Sequence, residues 1–74
     1  MIGINIEKLK ARIKVFGWNL EKFATHIGIT RTTFYRKIKN GGEGFLIWEI
    51  NEMIKALRLT KEEATEIFFE NVEL

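Results

Sequence analysis

The chain has no cysteine and no proline among its 74 residues, and only one histidine. Without cysteine there is neither a disulfide framework nor a thiolate metal site. Without proline, helices run uninterrupted. The lone His26 has no second ligand or carboxylate partner at motif spacing, so it reads as a structural or surface residue. No nucleophile–base pair and no metal-ligand spacing occurs, and the expectation is a non-enzyme with no cofactor and no metal. No apolar run approaches the ~20 residues that a membrane span needs. The start, "MIGINIEKLK", lacks the basic and apolar regions of a secretory signal, so a cytoplasmic protein is expected. There is no internal repeat and no low-complexity tract. "NGGEG" follows no strand and lacks the Lys-Ser/Thr of a phosphate-binding loop, which leaves it a plain turn.

What is present describes a small globular protein. Hydrophobic residues make up 46% of the chain, too many for a disordered tail. The length allows one domain, residues 1–74. Cores of this size supply only about 3–5 kcal/mol, so the chain depends on efficient helix packing, a partner subunit, or both. The net charge of +2 conceals a division. Residues 1–41 carry nine cations against Glu7 and Glu21, or +7, whereas residues 42–74 carry three against eight glutamates, or −5. A basic half beside an acidic half suits a polyanion-binding face with a separate back surface, and suits equally two solvated surfaces that differ.

Apolar spacing predicts five helices and an all-α fold. In "NIEKLKARIKVFG", Ile6, Leu9, Ile13 and Phe16 form one stripe at helical period, with Asn5 as N-cap and Gly17 as the left-handed stop. Lys8, Arg12 and Lys14 lie off that stripe. A second helix opens at Asn19, with Glu21 in its first turn and Leu20, Phe23, Ala24 and Ile27 inward. Gly28 ends it, Ile29 occupies the turn and Thr30 caps a third helix from about Arg31 to Lys39. There Phe34 and Ile38 must face inward, which points Arg36 directly out. Thr32, Thr33, Lys39 and Asn40 share that outer side, with Tyr35 and Lys37 flanking it. After "NGGEG", a fourth helix buries Ile47, Ile50, Ile54 and Leu57. Thr60 and Glu63 offer a reciprocal cap for a fifth, through Ala64, Ile67 and Phe68. The tail "FENVEL" alternates apolar and polar residues from Phe69 on and reads as extended. The glutamates of the second half read mostly as a solvated face, and Trp18 and Trp48 as core or subunit contacts.

Two short helices joined by a glycine turn, the second with a polar outer face, form a helix-turn-helix. Ala24 is small where the third helix crosses close over the second, Ile29 plugs the angle between them, and Phe34 fixes which face the third helix presents. A helix is about 10–12 Å across with side chains, and the B-DNA major groove is about 12 Å wide, so such a helix enters it and meets base edges.

The stretch "FATHIGITRTTFYRKIKNGG", with its apolar-Ala-x-x-apolar-Gly-apolar-Thr core, and the "WEINEMIKALRLTKEEATEIFF" beyond it resemble the phage repressor and Cro-type (XRE-like) helix-turn-helix proteins. The second part is similar to small regulators of temperate phages or prophages of Gram-positive bacteria. The resemblance implies a lambda-repressor-like five-helix domain that binds double-stranded operator DNA, an inverted repeat, as a homodimer. It implies base contacts from Arg31, Thr32 and Arg36, since arginine pairs with guanine O6 and N7 and threonine meets a base edge or a thymine methyl. It implies phosphate contacts from Asn19, Thr30, Thr33, Tyr35, Lys39 and Asn40. A dimer surface would come from Trp48, Phe68, Phe69 and Val72. Three positions depart from the pattern: Leu20 stands where many relatives carry glutamine, Lys37 where an apolar residue is usual, and Leu46 where threonine often caps the fourth helix. The rival reading is a protein-interaction module, an antirepressor that binds another phage repressor; salt-dependent duplex binding separates the two. An architectural factor would need apolar wedges on the outer face of the third helix, and that face has none.

Overall fold

The computed structural model describes residues 4–69 as five helices: α1 (Ile6–Val15), α2 (Leu20–His26), α3 (Arg31–Lys39), α4 (Ile47–Ala56) and α5 (Lys61–Phe68). No strand occurs among the described residues. The expected extended tail and Val72 lie outside them, beyond Phe69, which closes α5 as its C-cap and packs partly against the core.

The expected helix boundaries hold because their capping chemistry is local. Asn5 and Asn19 each accept a backbone N–H three residues on, at 3.1 and 2.7 Å. Thr60 accepts from the Glu63 N–H at 3.2 Å while the Glu63 carboxylate accepts from the Thr60 N–H at 2.9 Å. Gly17 ends α1 with φ of +81°, as a glycine stop requires.

The core is one cluster drawn from all five helices. Leu9 and Ile13 come from α1, Phe23 and Ala24 from α2, Phe34 and Ile38 from α3, Ile50 and Met53 from α4, and Ile67 and Phe68 from α5. Helix α2 packs on α3, and α1 packs on α2 and α5. The α1–α5 contact is polar at its rim. Arg12 meets Glu63 at 2.7 Å, and the Asn5 N–H donates to the Ile67 carbonyl at 2.7 Å.

Ile47 is 65% exposed rather than buried, and Met53 takes the inward place. The buried face of α4 is centred on Met53 and Leu57, so at 100° per residue Ile47 falls roughly 90° to one side. Phe16 lies past the end of α1 as its C-cap, exposed, with the Arg12 guanidinium 5.1 Å above its ring. Phe68 has no exposed surface and belongs to the core, so it offers nothing to a second copy. Its inward direction is the one that Ala64 and Ile67 share.

Candidate nucleic-acid interface

The recognition unit is assembled by its turn. Gly28 holds φ of +87°, which only glycine adopts without strain. This lets the Ile29 N–H donate back to the Ala24 carbonyl at 2.9 Å while the Ile29 side chain enters the core. Thr30 then starts α3: its hydroxyl accepts from the Thr33 N–H at 3.3 Å and donates to the Thr33 hydroxyl at 2.9 Å. An aromatic series runs through the unit. Trp18 meets Phe23 at 6.1 Å, Phe23 meets Phe34 at 6.0 Å, and Phe34 meets Phe45 at 5.7 Å between centroids. The two fully buried phenylalanines at its centre each contribute about 1.5–3 kcal/mol by burial, and they lock α2, α3 and the following loop together.

With Phe34 and Ile38 turned inward, α3 presents Arg31, Thr32, Tyr35, Arg36, Lys39 and Asn40 to solvent. Arg31 stacks over the Tyr35 ring at 5.3 Å and stands 4.0 Å from Glu21, with both charged side chains more than half exposed. Such a loose surface pair contributes almost nothing to stability and yields readily to a stronger anion. Thr33 is half-buried. The Thr30 and Thr33 hydroxyls are tied to each other, and the Asn19 side-chain oxygen caps α2, which leaves the Asn19 amide nitrogen unused by the cap. His26 stacks with Trp18 at 4.7 Å between ring centroids.

Lys37, expected to flank the outer face, points the other way. Its ammonium donates to both carboxylate oxygens of Glu49, at 2.8 and 3.1 Å, with the two side chains only 13% and 4% exposed. The same Glu49 carboxylate accepts from the Leu46 N–H at 2.7 Å. It thus caps α4 from within, where Leu46 itself has no acceptor. The ammonium also lies 5.6 Å from the Phe45 ring centroid. Glu49 is therefore a buried structural group rather than part of the solvated acidic face. The signal available in the sequence was weak: a lysine at an apolar position, and a glutamate twelve residues on in the first turn of the next helix.

The remaining cations sort by their partners. Lys8, Arg12, Arg31, Lys37 and Lys55 each lie within 4.0 Å of a glutamate. Among the described residues, Lys10, Lys14, Lys22, Arg36, Lys39, Arg58 and Lys61 are exposed and have no carboxylate within that distance. Five of the seven belong to α1, α2 or α3, and the other two to the α4–α5 turn and the start of α5, so most of the uncompensated positive charge lies on the helix-turn-helix and the helix beside it. Residues 3–40, just over half of the 74-residue chain, match the family described as bacterial regulatory protein, Fis family. The chain belongs to this family. The matched part covers α1 and the whole helix-turn-helix, which makes the protein a bacterial helix-turn-helix DNA-binding regulator. Helices α4 and α5, to which the phage-type resemblance extends, lie beyond the match. No curated protein and no solved structure matches the chain. No helix among the described residues is long and apolar enough to cross a membrane.

Proposed function

We propose that this Fis-family protein is a sequence-specific regulator that acts by occupying a double-stranded operator, in the manner of phage repressor and Cro-type switches. The observation that carries the reading is the division of labour on α3. Its inward side is fully engaged by Phe34, Lys37 and Ile38, and its outward side carries only cations, hydroxyls, a phenol and an amide. Arg31 and Arg36 supply bidentate donors for guanine, and Thr32 supplies a small contact for a base edge or thymine methyl. Tyr35, Lys39 and Asn40, with Asn19, Thr30 and Thr33 at the helix starts, hold the phosphates and set the register. Bound over a promoter, such a protein blocks transcription sterically.

The first turn of α4 supports a homodimer. Leu46, Ile47 and Trp48 are 53, 65 and 50% exposed in succession, an apolar surface at the start of α4. Two copies joined there would read an inverted repeat with half-sites about 34 Å apart.

Selection of bound duplexes from a random-sequence pool tests the reading. A preferred site should emerge, and Arg36→Ala should weaken it by about 1–3 kcal/mol and relax one base pair. Equal losses on selected and random duplexes would move Arg36 to the phosphate contacts. Failure of the wild type to retain any duplex at 50 mM salt would overturn the reading in favour of a protein-interaction module.

A further inference from the structure

We propose that Lys10 and Lys14 of α1, with Lys39 of α3, form a second seat for the DNA backbone beside the reading helix. This rests on the DNA-binding reading and adds residues that the helix-turn-helix alone does not supply. Two hollows adjoin on this side of the molecule. One is lined by Lys10, Ile13, Lys14, Trp18, Asn19 and Leu20, the other by Lys10, Leu20, Tyr35, Ile38 and Lys39. They share Lys10 and Leu20, so together they make one groove from α1 past the start of α2 to the end of α3. Its floor is apolar and its charged groups are all cations. Lys10 and Lys14 are four residues apart and stand on one side of α1, as neighbours at helical spacing do.

Three observations select a nucleic-acid backbone as the occupant. No described carboxylate lies within ion-pair distance of Lys10, Lys14 or Lys39, whereas Lys8 and Arg12 on the same helix reach Glu66 and Glu63 of α5. The α1 cations therefore divide into a pair that ties the fold together and a pair left with charge to spend. The groove is also continuous with the reading face, since Tyr35 and Lys39 belong to both. Finally, Leu20 fills the first position of α2 and brings no polar group to the duplex; the flanking lysines supply the cation that this place lacks. A phosphodiester strand leaving α3 along this groove would meet three ammonium groups in succession.

The test compares two double variants on a duplex of about 20 base pairs of mixed sequence and on a selected site, across 50–200 mM salt. Each phosphate contact contributes about −0.9 to the slope of log K against log salt. Lys10→Ala/Lys14→Ala should flatten that slope by nearly two units, equally on both duplexes, with unchanged thermal unfolding. Lys55→Ala/Lys61→Ala removes the same charge from α4 and α5 and should leave the slope within half a unit of wild type. Equal flattening by both pairs would mean that only net charge matters and would overturn the seat. An unchanged slope in the α1 variant, with wild type binding normally, would overturn it while leaving the DNA-binding reading intact. A wild type that binds neither duplex would overturn both.

Discussion

The two halves of this small molecule use the same charged residue types in opposite ways. In α1–α3 the cations mostly face outward without partners, and acids are few. In α4 and α5 the best-held acids turn back toward the chain: Glu49 caps α4 and grips Lys37, and Glu63 caps α5 and grips Arg12. The acidic half is thus not simply a repelled back surface. Two of its glutamates are fasteners that hold the basic half in shape, and each joins a helix start to a cation of another helix. Charge counts alone do not separate a cation offered to a partner from one consumed by the fold. Burial and geometry do.

Breaking the Lys37–Glu49 fastener should have the largest effect. Lys37→Ala leaves a carboxylate almost fully buried without its cation, and stability to urea should fall by about 3 kcal/mol. Replacing both partners by methionine should recover most of the loss, short of the α4 cap. A single variant costing under about 1 kcal/mol would place the pair with ordinary surface bridges. The Thr60 cap comes next: Thr60→Ala should cost about 1 kcal/mol, read from the same denaturation curves.

The smallest effect is pH-dependent. The Thr60 N–H donated to the Glu63 carboxylate, with the Arg12 guanidinium beside it, holds the Glu63 pKa below the ordinary carboxylate value. A carboxylate depressed on folding stabilises the protein fully above its unfolded pKa, and the contribution fades as pH falls through the folded value. Glu63→Gln should therefore lower stability near neutrality and flatten the acid limb of the stability–pH curve. A limb as steep as that of the wild type would remove Glu63 from the groups that drive it.

Much of this arrangement was legible in the sequence because it is set within a few residues. Asn5, Asn19, Thr30 and Thr60 cap helices by reaching three positions along the chain, and Gly17 and Gly28 adopt the backbone conformations that end them. The outward direction of Arg36, Lys39 and Asn40 followed from Phe34 and Ile38 alone. What was not legible depends on how helices meet. Ile47 fits the period of α4, yet its helix is turned so that Met53 lies at the centre of the contact. Lys37 reads as a solvated cation until α4 brings Glu49 beneath it. Lys10 and Lys14 are indistinguishable from Lys8 in composition, and only the approach of α5 to one side of α1 separates them.

The separation of roles around α3 has a consequence for how such a protein changes its target. Arg31, Thr32 and Arg36 make none of the contacts that hold the core, so exchanging them leaves the scaffold indifferent. On the proposed reading, a new preference for base pairs is then reachable one substitution at a time, without compensating repairs elsewhere. The same scaffold becomes a holder for interchangeable reading heads, and the fastener beneath it keeps each new head at the old angle.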